Sequence, residues 1–116
     1  MNELIESILN NLTVNSKIIP VAYMFYEGHG EDYITYMNQD KANSLTADDE
    51  LQAYADYYDF DVYTKGNNIE IIRELKRILI ENGFIWQPSR TSVDMYETDT
   101  KYYHKTLNFV YLREEN

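Results

Sequence analysis

The chain has 116 residues, of which 44% are hydrophobic, and its formal net charge is -10. This length predicts a single domain spanning residues 1–116, and the hydrophobic content is too high for intrinsic disorder. The absence of cysteine excludes disulfides and thiolate metal sites, and twenty Asp and Glu against ten Lys and Arg argue against ordinary nucleic-acid binding.

The first half of the chain predicts one amphipathic helix followed by short strands. Apolar residues recur at helical spacing in MNELIESILNNL, which predicts a helix with one face on the core. IIPVAYMFY predicts a strand entered through Pro20, and the glycines of EGHGED predict a turn. DYITYM, residues 32–37, then predicts the partner strand of a hairpin. Residues 38–50 are polar and weakly patterned, so we expect a long loop or a hairpin tip there.

The segment LQAYADYYDFDVYT alternates between two kinds of side chain in its second half. A period of two with acids on one side predicts a strand with one buried face and one solvent-facing side. The predicted buried face carries Tyr58, Phe60, Val62 and Thr64, and the other face carries Tyr57, Asp59, Asp61 and Tyr63.

The KGNN segment lies between this strand and a predicted helix. It lacks the second glycine and the Lys-Ser/Thr of a phosphate-binding loop, so we interpret Gly66 as a turn residue. Asn67 is the predicted N-cap, with Glu70 completing a capping-box-like pair. The helix that follows has a broad apolar face, and Asn82-Gly83 predicts a left-handed stop at its end.

The last third of the chain predicts two strands joined by the turn ETDTK. FIWQPSRTSVDMY predicts a long strand that is interrupted or bulged near Pro88, and YYHKTLNFVYLRE predicts the next strand. In the latter, alternation separates His104, Thr106 and Asn108 from Tyr103, Lys105, Leu107, Phe109 and Tyr111. The pattern as a whole predicts an α+β fold: a mostly antiparallel, twisted sheet of about four or five strands, with two main helices packed on one face.

Three carboxylates and a histidine lie close together in DMYETDTKYYHKTLNF, where we expect Asp94 and His104 to approach each other across the hairpin. Their spacing matches neither a carboxylate metal loop nor a paired-histidine metal site. Asp59 and Asp61 share a strand face, which alternation on a solvent-facing sheet explains without catalysis. We therefore expect no enzyme, no metal and no cofactor. A metal-dependent hydrolase that uses Asp59, Asp61, Asp94 and His104 is the formal alternative.

Twelve tyrosines exceed what a core of this size needs, and tyrosine is enriched at protein contacts. The alternative is that cross-strand tyrosine pairs only stabilise the sheet. The predicted interface residues are Tyr57, Asp59, Asp61, Tyr63, Asp94, Tyr96, Glu97, Asp99, Tyr102 and His104.

The order of these elements, with the segments YDFDVYTKGN, NGF and DMYETDTKYYHK, resembles the tail-completion or tail-terminator proteins of long-tailed phages and prophages of Gram-positive bacteria. The resemblance implies a ring, usually of six subunits, at the head-proximal end of the tail tube. Its partners would be the tube protein and the head-tail connector proteins, first in the host cytoplasm and then in the virion. DNA would only pass through the channel, and no membrane would be involved.

The acidity of the chain also fits a second class of protein, a small acidic inhibitor. An immunity protein or a DNA mimic would use the surplus carboxylates against a basic enzyme. Neighbouring genes for head and tail components would favour the phage protein, and an adjacent toxin nuclease gene would favour the inhibitor.

Overall fold

The computed structural model describes residues 2–26, 32–38, 43–47 and 50–114. The fold is α+β, as predicted, and its sheet is larger than the expected four or five strands. The elements in chain order are α1 (Asn2–Leu9), β1 (Thr13–Val14), β2 (Lys17–Ile18), β3 (Val21–Tyr23), β4 (Tyr33–Asn38), β5 (Asn43–Ala47), β6 (Glu50–Thr64), α2 (Ile69–Glu81), β7 (Ile85–Gln87), a 3-10 helix (Pro88–Arg90), β8 (Met95–Glu97) and β9 (Tyr102–Glu114).

A long antiparallel ribbon of β6 and β9 forms the centre of a seven-stranded sheet. Its register runs from Ala53 opposite Glu114 to Thr64 opposite Tyr103. On the other side of β6 lie β4 and β5, and β3 extends the sheet beyond β4. Both β7 and β8 pair with β9. They correspond to the strand predicted over residues 84–96, which is interrupted, as expected, by the 3-10 helix at Pro88. β1 and β2 form a separate antiparallel ribbon.

The expected hairpin between residues 18–26 and 32–37 is wrong, because β3 and β4 pair in parallel. Met24 follows β3 with a left-handed φ of 63°, and the Phe25 N–H donates to the Tyr23 carbonyl at 2.7 Å. This γ-turn ends the strand sharply. The connection between β3 and β4, residues 24–32, is shorter than the dozen or so residues that parallel pairs usually need. The predicted EGHGED turn lies mostly outside the described residues.

The polar segment 38–50, predicted as a long loop or hairpin tip, contains the strand β5. It pairs antiparallel with the first half of β6, and its register shifts between Leu45 and Thr46. Residues 39–42 and 48–49 of this segment lie outside the described residues. The pairing lengthens the sheet, and the described structure measures 51 × 26 × 23 Å along its principal axes.

Both helices pack on one face of the sheet, as predicted, and enclose the hydrophobic core. The ring of Phe60 lies at the centre, with edge-to-face contacts to Phe84 and Phe109 at centroid distances of 6.4 and 5.6 Å. Burial of apolar surface contributes about 25 cal/mol per Å² and is the main stabilising term. The fully buried members of this core include Ile5, Leu9, Ile34, Tyr36, Tyr58, Val62, Leu75, Leu79 and Leu107.

The N-terminus of α2 differs from the prediction by one residue. Asn68, rather than Asn67, is the N-cap, and its side chain makes no capping hydrogen bond. The Asn67 side-chain carbonyl still accepts a hydrogen bond from the Ile69 N–H at 2.8 Å. Asn67 therefore satisfies one of the backbone N–H groups that have no partner within the helix. Glu70 contacts Arg73 at 3.4 Å.

The C-terminus of α2 has the predicted left-handed stop. Gly83 has a φ of 94°, its N–H donates to the Ile80 carbonyl at 3.1 Å, and the Phe84 N–H donates to the Leu79 carbonyl at 2.9 Å. This pair of bonds is a Schellman motif, and the accompanying apolar contact is supplied by the buried side chains of Phe84 and Leu79. The motif directs the chain from α2 into β7.

Replacing Gly83 with Ala should lower the free energy of unfolding by about 1 kcal/mol, because a left-handed φ strains any residue with a Cβ. The added Cβ would also meet the Tyr111 ring at 3.4 Å. Gly66→Ala is the matched control, since a Cβ there has open space. Urea unfolding of both variants measures the difference. Equal losses at the two positions would contradict the assigned role of Gly83.

Candidate interaction face

The face of the sheet away from the helices, here called the open face, carries aromatic and acidic side chains. Strand register places Tyr33 of β4 opposite Tyr63 of β6, and Tyr63 opposite His104 of β9. The predicted residues on the open face are Tyr57, Asp59, Asp61, Tyr63, Glu97, Tyr102 and His104. The register therefore brings together seven of the ten predicted interface residues, drawn from three strands.

Stacked rings form the centre of the open face. The Tyr63 ring stacks on Tyr33 at a centroid distance of 4.7 Å and on His104 at 4.3 Å. Tyr102 meets the rings of Tyr33 and Tyr63 edge-on, at 5.5 and 6.2 Å. Each such aromatic pair contributes about 0.5–1.5 kcal/mol beyond its buried area. The rings therefore form a rigid, preordered surface.

His104 joins this ring stack to the carboxylates. Its Nε2 lies 3.1 Å from Oδ1 of Asp61, and its Nδ1 lies 3.6 Å from Oε2 of Glu97. The Thr106 hydroxyl donates to the same Asp61 oxygen at 2.5 Å. The side chains of His104 and Asp61 are 16% and 20% exposed, whereas that of Glu97 is 41% exposed. Asp61 is thus held within the chain, and Glu97 is the more accessible carboxylate.

Burial raises the pKa of Tyr63 to about 12, and the neighbouring groups Asp61, Tyr33 and Glu97 add to this effect. Burial also raises the pKa of Tyr33, helped by Tyr102 and Glu97. A phenolate would lie among carboxylates and low-dielectric rings, so the neutral hydroxyl is favoured. The phenols of Tyr63 and Tyr33 therefore stay protonated to a higher pH than an unperturbed tyrosine.

The opposite end of the open face is held by polar contacts. The Asn108 amide donates to Oδ1 of Asp59 at 2.8 Å, and the guanidinium of Arg90 lies 4.4 Å from the centroid of the Tyr57 ring. Asp59 is therefore satisfied by an internal donor. The carboxylates at positions 59 and 61 share a face, as predicted, but they bind different side chains.

The remaining three predicted residues lie elsewhere, and the expected contact between Asp94 and His104 is wrong. Met95, not Asp94, is opposite His104 in the ladder, so Asp94 lies on the helix side. There its Oδ1 lies 3.5 Å from the Lys105 ammonium and accepts from the Asn68 amide at 3.4 Å. Tyr96 packs against Tyr103, also on the helix side, and Asp99 lies in the exposed turn.

Sequence reasoning missed Tyr33 and Lys65 as members of the site. The Lys65 ammonium lies 3.8 Å from the centroid of Tyr102 and donates to the Thr100 carbonyl at 2.6 Å. Alternation within DYITYM indicates which side chains share a face with Tyr33, but only the register of β4 on β6 identifies that face as the open one. Nothing in the local sequence connects Lys65 with a turn 35 residues away.

The cluster around His104 lies on a sheet surface. Neither His104 nor Asp61 lines the four best-formed surface cavities of the described residues, which have volumes of about 230 to 410 Å³. Among the described residues, no group of three or more His, Asp and Glu side chains could hold a metal ion. Because the stacked rings cover each other's faces, the arrangement suits contact with a flat partner through ring edges at the centre and a carboxylate at the margin.

A comparison with known protein families finds no match, and a search of curated proteins finds no relative in sequence. In the parts of the chain that the structure describes, no helix is long and apolar enough to cross a membrane. A function must therefore be inferred from the residues and their geometry.

The raised pKa of Tyr63 predicts that stability falls as the pH rises from 10 to 12. Over this range the unfolded chain loses the phenolic proton before the folded chain does, which favours unfolding. One such group contributes at most about 1.4 kcal/mol per pH unit, less here because the ring is partly exposed to solvent.

Tyr63→Phe should make this alkaline decline in unfolding free energy shallower, as measured by urea unfolding at several pH values. Tyr96→Phe is the matched control, because it removes a hydroxyl from a ring that is 50% exposed on the other side of the sheet. An identical decline in the wild-type and Tyr63→Phe proteins would contradict the assigned environment.

Proposed function

We propose that this protein is a structural phage protein that assembles as a ring at the head-proximal end of the tail tube, where it terminates the tail and joins it to the head. Its partners are copies of itself, six to a ring, the tail tube protein and the head-tail connector proteins. The observation that supports this best is the open face, where half-buried rings and carboxylates are preordered on a long ribbon.

The ring stack has the properties of a protein-contact surface. Tyrosine provides a large contact area with only two side-chain torsions, so little conformational entropy is lost when a partner binds. The stacking of Tyr33, Tyr63 and His104 fixes these torsions before any partner arrives. Preordering of this kind lowers the entropic cost of association.

Exposed apolar side chains at the sheet edges support additional contacts. Met24 and Phe25, beside β3, are 59% and 69% exposed, and Val93, beside β8, is 77% exposed. Single exposed apolar residues are common, but these lie at both outer strands of one sheet. A ring subunit needs contact surfaces on two sides, one for each neighbour.

The net charge of -10 suits a channel for DNA. Phosphates are repelled by an acidic wall, so the polymer slides without adhering. The acidic-inhibitor alternative instead needs carboxylates that are available to a basic enzyme. Asp59 and Asp61 already accept hydrogen bonds from Asn108 and Thr106, which favours the assembly protein over the inhibitor.

Deleting the gene from its phage should give tails of uncontrolled length without attached heads, as seen by negative-stain electron microscopy. Complementation with the Tyr102→Ala, Glu97→Lys variant should fail, because it removes a ring and reverses the accessible charge on the open face. Glu81→Lys is the matched charge control, since Glu81 is 61% exposed on α2. It should restore normal tails.

Tails of normal length with heads attached, in the deletion phage, would refute the proposed function. A pull-down that recovers a basic nuclease and no tail protein would favour the acidic inhibitor instead. Purified protein mixed with tail tubes should form rings at one tube end in the wild type and in Glu81→Lys.

A further inference from the structure

A cationic cavity of about 310 Å³ lies on the helix side of the hairpin formed by β8 and β9. Arg73 and Lys76 of α2 and Lys105 of β9 line it, and Asp94 is the single carboxylate in its lining. The lining thus contains three of the ten Lys and Arg residues of the chain but one of its twenty Asp and Glu residues. In a chain with a net charge of -10, this is a local inversion of charge.

Each of the three cations has a neighbouring group in the free chain, and Arg73 lies 3.4 Å from Oε1 of Glu70. The Lys76 ammonium lies 3.6 Å from the centroid of the Trp86 ring, and the Lys105 ammonium lies 3.5 Å from Oδ1 of Asp94. Burial, followed by the charge of Lys105, lowers the pKa of Lys76. The two ammonium groups therefore repel each other, and an anion entering the cavity would relieve this repulsion.

The hairpin carries opposite charges on its two sides. His104 and Lys105 are adjacent on β9 and point to opposite faces of the sheet. On the open face, the side chain of Glu97 is 41% exposed, although its Oε1 accepts a hydrogen bond from the Thr100 hydroxyl at 2.8 Å, whereas the side chain of Asp61 is 20% exposed. Glu97 is therefore the open-face carboxylate best able to reach another molecule.

Opposite charges on two sides of one element favour a head-to-tail contact between identical chains. In such a contact the open face of one copy meets the cationic cavity of the next. Contacts of this heterologous type generate a ring when the rotation closes. Charge complementarity also sets the orientation, because like faces repel each other.

We propose that the cavity lined by Arg73, Lys76 and Lys105 is the docking site for Glu97 on the open face of a second copy of this chain. The inference rests on the proposed ring assembly and identifies its subunit contact. In the free chain Asp94 contacts Lys105 and Glu70 contacts Arg73, whereas Lys76 lies over the Trp86 ring, so Glu97 of the neighbour supplies the negative charge that faces Lys76.

Charge reversal tests the contact. Self-association is measured by sedimentation velocity, alone and in the presence of tail tubes. The Lys76→Glu, Lys105→Glu variant and the Glu97→Lys variant should each associate at least about tenfold more weakly than wild type, since like charges then face each other. An equimolar mixture of the two variants should recover most of the association, because each supplies the charge that the other needs.

The recovery in the mixture also shows that both variants are folded. Lys17→Glu is the charge control: it adds negative charge at an exposed position of β2 outside the cavity and should associate like wild type. The neutral variant Lys76→Gln, Lys105→Gln should show an intermediate loss. Association should also weaken as salt is added.

Cross-linking identifies the contact directly. Zero-length carbodiimide coupling of mixed ¹⁴N- and ¹⁵N-labelled protein should give amide bonds between Glu97 of one copy and Lys76 or Lys105 of another. Association that charge reversal leaves unchanged would overturn the docking site while rings on tail tubes still supported the proposed function. A wild-type chain that remains monomeric even on tail tubes would refute both.

A small-anion site is the competing outcome. Inorganic phosphate, titrated into ¹⁵N-labelled protein, should produce only weak, salt-like shifts at the amides of Arg73, Lys76 and Lys105. Saturable phosphate binding, equal in wild type and Glu97→Lys and without effect on association, would overturn the second copy as the occupant.

Discussion

The antiparallel register of β6 on β9 is the constraint on which the rest of the structure depends. It sets Phe60 opposite Leu107 in the core and Asp61 opposite Thr106 on the open face. A slip of one residue would exchange the faces of a strand and place carboxylates against the helices. A carboxylate buried without partners costs several kcal/mol, whereas the observed register gives Asp61 two neighbouring donors. Core burial and open-face chemistry therefore enforce the same alignment.

Local sequence patterns were sufficient to predict the elements that are determined by residues close together in the chain. The alternation in β6 and β9 and the Asn82-Gly83 stop of α2 are encoded within a few residues, so the core face, the open face and the Schellman motif could be predicted. β5 lies in a polar segment, where pairing with β6 overrides weak propensity. β3 pairs in parallel with β4 and ends at a left-handed turn at Met24, and methionine is a residue type that does not predict such a conformation.

The members of the site were less predictable than its location, because cross-strand partners depend on register. Lys101 has a φ of 63°, and the turn around it sets Met95, rather than Asp94, opposite His104. One residue of offset moves a carboxylate to the other side of the sheet. The actual partner, Asp61, is 43 residues away in sequence and reaches His104 only because β6 and β9 are adjacent. The same offset places Asp94 beside Lys105, in the cationic cavity.

The carboxylates of the open face differ in their contacts, and this difference bears on how strongly the proposed ring could hold together by itself. Asp59 and Asp61 are satisfied inside the subunit, so they maintain the shape of the open face more than they attract a partner. Exposed ion pairs such as the proposed contact of Glu97 contribute roughly 0–1 kcal/mol each. Association costs about 4–15 kcal/mol in lost translational and rotational freedom. In the proposed assembly, subunit contacts built on such charges would define orientation and spacing, whereas the tail tube, by gathering the subunits at one end, would supply the effective concentration that closes the ring.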